Sequence, residues 1–421
     1  MPRGVNDTSF IPYAIRKAYG LTTVDHKVAI YEHYFHRLLQ RAHDATIVYN
    51  NATTDGQRGE MSRFMLQLMA DAPVPITFRS LTSAPSPQGD QRSLSLPKGS
   101  LLEKTHAVLS ILRQRLSKDH GGISPTAVSN YLRCQLRFFY RYVSNLQEPD
   151  DTDEDLIDNR LFGNIFHKAA QTLYEQFTDG RVTVALLDAL LNDDSTISRA
   201  VDAAIRSEFL KSHGKADSSL FTLHSSLNLD GLQLINREVI IRYVRLLVET
   251  DRRLAPFTIL GLEKRVEIPW GDSVAGGYID RLDCVTDPVS GQKRIRVVDY
   301  KTGARHLRPM PDVDAIFDPA QIPNHSDYYL QAFLYSYIVR QEHAEPVSPA
   351  LLFIQHAGAE GYDPTLVVGR EPVSDISVHA DHFIERFKET ITDIFNPDLP
   401  FTPTDDRNRC RSCPYAALCK R

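Results

Sequence analysis

The sequence predicts an α/β chain of more than one domain. Three observations carry that expectation. The 421 residues exceed what one ordinary core organises. Strand-like runs with period two cluster between residues 257 and 303, and apolar residues at helical spacing flank them on both sides. The C-terminal part therefore reads as helix, three antiparallel strands, helix, strand, with a long, mostly helical insertion before the strands.

Taken in order, residues 24–43 place Val28, Tyr31, Phe35, Leu38 and Leu39 at helical spacing, and 45–51 (ATIVYNN) reads as a short strand. A second amphipathic helix, 58–70, presents Met61, Phe64, Met65 and Leu68 on one face. Pro73, Pro75 and the Ser/Pro/Gln/Gly-rich stretch 80–99 break all periodicity and predict a boundary, so that 1–82, 83–122 and 123–421 form a small domain, a linker with a short helix near 101–116, and a large domain. Ser124-Pro125 is suited to start a helix that runs through Tyr142 with Cys134 inside it. The acidic run 148–155 predicts a solvated linker, and a polar break at 211–226 predicts a mobile loop within the helical stretch 156–253. Strands follow at 257–270, 274–285 and 293–303, with turn chemistry at 270–273 and 287–291. A helix at 326–342, the apolar run 349–356 and a helix at 378–395 complete the pattern.

Hydrophobic residues make up 42% and charged residues 24% of the chain, the balance of a soluble globular protein. No apolar run is long enough to cross a bilayer, which argues against a membrane role, and the N-terminus lacks the apolar stretch of a secretory signal, so the cytoplasm is the expected compartment. Cysteine chemistry there means metal in preference to disulfides. A net charge of -5 rules out a globally basic nucleic-acid binder and confines any DNA contact to a local surface. No GxxxxGK[ST] phosphate loop occurs, so nothing supports ATP hydrolysis by this chain.

The chemistry concentrates in two places. The second strand contains Gly276-Gly277-Tyr278-Ile279-Asp280-Arg281, and the third ends in Asp299-Tyr300-Lys301. Residues i and i+2 of a strand face one side, so Asp299 and Lys301 project together. Carboxylates at adjacent strand ends suit Mg²⁺ or Mn²⁺, which polarise a phosphodiester and acidify water, while a lysine stabilises charge developing on phosphate. His167, in Gly163-Asn164-Ile165-Phe166-His167, offers an imidazole, and Gln331 and Tyr335, four apart on a helix, share a face.

The second place is Cys410-x2-Cys413-x5-Cys419, with Cys134 as the available fourth thiol. Four thiolates fit either zinc or an iron-sulfur cluster, and the spacing leaves both open. Cys284, on the strand after Asp280, reads as an ordinary buried thiol. Arg133, Arg137 and Arg141, on the helix of Cys134, are candidate phosphate contacts.

Together these motifs resemble the RecB-like branch of the PD-(D/E)XK nucleases, most nearly the AddB-type subunit of bacterial double-strand-break resection complexes. The resemblance covers about the last 300 residues and implies a restriction-endonuclease-like core. It implies a metal held by His167, Asp280, Asp299 and the backbone carbonyl of Tyr300, with Lys301, Gln331 and Tyr335 completing the catalytic set. It further implies a [4Fe-4S] cluster on Cys134, Cys410, Cys413 and Cys419. Residues 1–82 resemble a C-terminal remnant of a superfamily 1 helicase region, with Arg41 near the place of its last motif's arginine. The expected activity is exonucleolytic hydrolysis of DNA, on single-stranded or frayed duplex ends, in recombinational repair with a helicase partner. Two rivals are a catalytically silent DNA-end-binding scaffold and a stand-alone nuclease of CRISPR spacer acquisition, and the helicase-like N-terminus speaks against the latter.

Overall fold

The computed structural model describes residues 11–49, 53–54, 57–58, 61–71, 76–79, 101–147, 157–178, 180–213, 229, 231–286, 291–303 and 307–419. The boundary stretch expected at 80–99, the acidic run 148–155 and most of the polar break 211–226 lie outside these residues, as does most of the turn at 287–291. The chain divides into two compact units, Met1–Ser93 and Leu94–Arg421.

The first unit contains α1 (Tyr13–Ala18), α2 (Val24–Leu39), a hairpin of β1 (Thr53–Thr54) with β2 (Gln57–Arg58), and α3 (Arg63–Asp71). Its core is small: Phe35, Phe64 and Met65 are buried, with the Phe35 and Phe64 rings stacked at 5.9 Å. Val28, Leu39, Met61 and Leu68 pack around them. Tyr31 and Leu38, expected on the core stripe, are exposed, because a core this narrow covers only the Val28–Phe35–Leu39 line of α2. Residues 45–49 form no strand, since an extended run needs a paired edge and finds none among the described residues.

The second unit opens with α4 (His106–Arg115), whose Leu112 packs into the main core. Then come α5 (Pro125–Arg133) and α6 (Gln135–Phe138). The Ser124 hydroxyl accepts the Ala127 amide at 3.1 Å and Pro125 follows it, so α5 starts where the sequence indicates. The expected single helix through Tyr142 is interrupted at Cys134, whose backbone is extended (φ −169°, ψ 119°). Cys134 is thus the joint between two helices and not an interior position. A π-turn at 139–143 ends the segment.

The insertion comprises α7 (Asn159–Tyr174), β3 (Arg181–Val182), α8 (Val184–Asn192), α9 (Asp194–His213) and α10 (Gly231–Leu254). Strands β4 (Phe257–Trp270), β5 (Ser273–Thr286) and β6 (Lys293–Lys301) follow, then α11 (Asp314–Phe317), α12 (Ser326–Glu342) and β7 (Val347–Phe353). A short hairpin, β8 (Val367–Val368) with β9 (Glu371–Pro372), leads to α13 (Ala380–Phe395) and α14 (Ala416–Cys419).

One sheet runs β3-β4-β5-β6-β7, antiparallel as far as β6, with β7 parallel to β6 and α12 as the crossover between them. Strand alternation sends Val297 to one face and Val298 to the other. The first face packs on α5, α12 and α13 through Ile279, Leu282, Phe333 and Phe383, and the second on the insertion through Ile165, Phe166, Ile240 and Val244. No helix among the described residues is long and apolar enough to cross a membrane.

Candidate active site and cysteine site

The acidic centre is built by three strands, one helix from each face of the sheet, and a tight turn. Gly271 and Asp272 connect β4 to β5, and Gly271 sits at φ +55°, where a side chain is disfavoured. Counted from that turn, Lys264 pairs with Ile279 and Leu262 with Arg281, which brackets Glu263 opposite Asp280. Glu263 has φ +46°, a left-handed conformation that costs a non-glycine residue about 1–3 kcal/mol and is concentrated at functional sites.

Asp280 Oδ2 accepts the Tyr300 backbone N–H at 2.7 Å and lies 3.2 Å from His167 Nδ1, presented by α7. One ligand atom from each of His167, Glu263 and Asp280 falls within 4.8 Å of the others. Glu263 was not anticipated from the sequence, although counting the hairpin register from Gly271-Asp272 finds it. Burial raises the Glu263 carboxyl above its ordinary value, and the Asp280 charge adds to that. Burial alone would lower His167, but Asp280 outweighs it and holds the imidazole above its usual pKa.

Asp299 and Lys301 do project together: Lys301 Nζ is 2.7 Å from Asp299 Oδ2. Gln331 Nε2 on α12 donates to Asp299 Oδ1 at 2.8 Å, so both oxygens of this carboxylate are engaged and it stands outside the His167–Glu263–Asp280 group. Burial pushes the Asp299 carboxyl up, Lys301 opposes that, and Asp280 adds to it. For Lys301 the penalty of burial is overcome by Asp299, which raises its pKa. The ammonium also lies 4.4 Å from the centre of the Tyr328 ring, another residue not foreseen.

Tyr335, one turn beyond Gln331, is buried, and burial followed by the Asp299 and Asp280 charges raises its pKa. A Cβ at Gly277 would lie 2.2 Å from the Tyr335 hydroxyl, so glycine at that point of β5 is what admits the tyrosine. Three carboxylates share the site, and burial and mutual repulsion raise two of them. Such a set of hard oxygens with one imidazole is short of positive charge and fits a divalent cation of the Mg²⁺ or Mn²⁺ kind.

Cys134, Cys410, Cys413 and Cys419 line one cavity with Arg133, Arg137, Arg409 and Tyr415, and all four thiols are free. Burial raises the pKa of Cys413 and Cys419. Arg133 pairs with Asp327 at 3.9 Å, and Arg141 is exposed and lies outside the cavity lining. The protein joins the chain at this place by its own hydrogen bonds. The Thr402 N–H donates to Gln135 Oε1 at 2.9 Å, Leu102 pairs with Phe401, and Arg409 Nη1 donates to the Arg133 carbonyl at 3.4 Å. Cys284, on β5, is half-buried and apart from this cavity.

A model of the PD-(D/E)XK nuclease superfamily matches residues 122–420. The chain belongs to this superfamily, whose members are generally nucleases and usually work with Mg²⁺ or Mn²⁺. No curated protein matches the chain.

Proposed function

We propose that the chain is a divalent-metal-dependent deoxyribonuclease that hydrolyses phosphodiester bonds at DNA ends, with His167, Asp280 and Asp299, the Tyr300 carbonyl and additionally Glu263 as metal ligands. The observation that carries this reading is the meeting of two sets: the His167–Glu263–Asp280 group and the Asp299–Lys301–Gln331 triad, joined by the Tyr300 N–H bond to Asp280. A bound Mg²⁺ or Mn²⁺ supplies Lewis acidity toward the phosphate and lowers the pKa of water. Lys301 keeps its ammonium beside Asp299, where it faces charge developing on the phosphate. Gln331 fixes the Asp299 carboxylate in one orientation, and Tyr335, buried on the same helix, sets its hydroxyl against Gly277 of β5. In the reaction the water oxygen bonds to phosphorus, the bond from phosphorus to the leaving deoxyribose oxygen breaks, and the water proton passes to that oxygen through solvent.

The finer reading follows the resemblance. It takes the chain as an AddB-type exonuclease of double-strand-break repair, cytoplasmic, with residues 1–82 as helicase-derived and a helicase partner delivering single-stranded or frayed ends. In this reading the four cysteines hold a [4Fe-4S] cluster. Sulfur spacing supports a cluster over zinc: a tetrahedral zinc with bonds of about 2.3 Å brings its sulfurs to roughly 3.8 Å of one another. Among the described residues the one group of three or more ligand atoms within 4.8 Å is at the acidic centre, so no three cysteine sulfurs converge that closely. Arg133, Arg137 and Arg141 would offer local phosphate contacts around the cluster.

The test is cleavage of end-labelled linear single-stranded DNA by anaerobically purified protein, with Mg²⁺ or Mn²⁺ against EDTA, beside Lys301→Ala and Asp280→Ala. Metal-dependent cleavage lost in both variants supports the proposal. Binding without cleavage by wild-type protein with an intact cluster would replace it by a scaffold role.

A further inference from the structure

Behind the acidic centre lies a chain of polar groups that the catalytic reading leaves unused. The Tyr174 hydroxyl donates to Asp251 Oδ2 at 2.5 Å, and Arg281 grips the same carboxylate with Nη1 at 2.6 Å and Nη2 at 2.8 Å. Arg281 Nε reaches Asp283 at 3.0 Å, and Arg296 closes on Asp283 with two bonds of 2.8 and 2.7 Å. All five side chains are buried, with Tyr174, Arg281 and Asp283 fully so. The two arginines and two aspartates balance in charge. Removing so many ionic groups from water offsets most of their mutual attraction, so what such a network supplies is geometry more than stability.

The geometry leads to the metal site. His167 and Tyr174 are two turns apart on one face of α7. The near end of that face meets Asp280 and the far end meets Asp251, which is locked to Arg281, the residue next to Asp280. The Tyr300 ring fills the space between, 5.8 Å from the His167 ring and 5.6 Å from the Arg281 guanidinium. Helix α7 is therefore pinned to two consecutive residues of β5, which fixes both its rotation and its position along its axis.

We propose that Tyr174, Asp251 and Arg281 form a positioning relay for the metal centre: they hold His167 against Asp280 and tie the end of α10, the last helix of the insertion, to the ligand-bearing strand. This rests on the metal-centre reading above. Partners that orient ligands in this way typically change metal affinity by about 10–100-fold when altered. Tyr174→Phe removes one hydroxyl and keeps the ring that lies 5.4 Å from the Arg281 guanidinium.

The experiment is Mn²⁺ binding to the full chain, followed by calorimetry and by the paramagnetic resonance of free Mn²⁺, with thermal melting measured in parallel. Three variants are compared with wild type: Tyr174→Phe, Asp280→Ala, and Leu187→Ala, which weakens the same buried core from α8 and removes none of the relay's hydrogen bonds. The expected result is a Kd raised at least tenfold in Tyr174→Phe and unchanged in Leu187→Ala, although the latter melts lower. A wild-type Kd in Tyr174→Phe overturns the relay, as does an equal rise of Kd in Leu187→Ala, which reduces the effect to general loosening. Wild-type binding by Asp280→Ala instead overturns the metal centre itself, and the relay with it. Should Tyr174→Phe fail to fold, Asp251→Asn, which turns one of the two oxygens shared by Tyr174 and Arg281 into a donor, takes its place with the same expectation.

Discussion

Glu263→Gln separates the fold's need for this carboxylate from the metal's need for it, because the two have opposite signs. With ligand atoms of Glu263 and Asp280 within 4.8 Å, two full charges repel by about 3.5 kcal/mol at an effective dielectric of about 20. The neighbouring His167 and partial exposure offset much of this, leaving about 1 kcal/mol of destabilisation in the metal-free protein. Glutamine keeps the shape and the same backbone strain at φ +46° and removes only the charge. Metal-free Glu263→Gln should therefore melt about 2 °C above wild type. With Mn²⁺ the order reverses. At a metal concentration 100 times the wild-type Kd, binding adds about 2.7 kcal/mol to wild-type stability, and a tenfold weaker site gains about 1.4 kcal/mol. Melting curves in EDTA and across a Mn²⁺ titration measure both numbers. A variant that melts below wild type in EDTA yet gains as much from Mn²⁺ would refute the reasoning, since Glu263 would then be a structural residue of the hairpin.

Gly277→Ala should reduce cleavage by about 100-fold with a small loss of stability, because Tyr335 must move by about 1 Å or more to clear the new methyl; single-turnover rates beside melting temperatures check this. Burial lowers Lys104 to about 8 from an ordinary value of 10.5, with Asp393 opposing, so between those values the unfolded chain binds more protons than the native one. Native stability contributed by this group therefore rises with pH from about 8 to 10.5, and comparison of pH-dependent melting in wild type and Lys104→Met should show the rise in the former alone. Cys413→Ser should lower metal bound per chain, measured by elemental analysis, while circular dichroism stays native, since Gln135–Thr402 and Leu102–Phe401 hold the same ends without metal.

What the sequence revealed and what it hid follow from the range of the interactions involved. Strands β4, β5 and β6 and helix α12 fall on the expected segments because period-two and period-3.6 patterns are local, and the sheet faces then follow from alternation. Asp299 and Lys301 project together because strand alternation places them, whereas the meeting of Gln331 with Asp299 is a contact between α12 and β6 that spacing alone does not set. Glu263 was hidden by an ordinary-looking strand, although register from the turn locates it. The interruption at Cys134 had no local signal: an extended residue between two good helical segments is imposed by contacts with the chain near residue 402. Tyr31 and Leu38 show the converse, a helical stripe wider than the core that receives it.

The stitching of residues 401–419 onto 102–146 also orders the protein in time. A chain leaves the ribosome at about 5–20 residues per second and folds from its N-terminal side. All members of the acidic centre precede residue 336, whereas Phe401, Thr402, Cys410, Cys413 and Cys419 emerge only after them. A nascent chain therefore carries every residue of the acidic centre while the partners of Leu102, Gln135 and Leu146 are still missing. Closure of the domain, and with it the gathering of all four thiols, waits until every residue of the acidic centre has already been made.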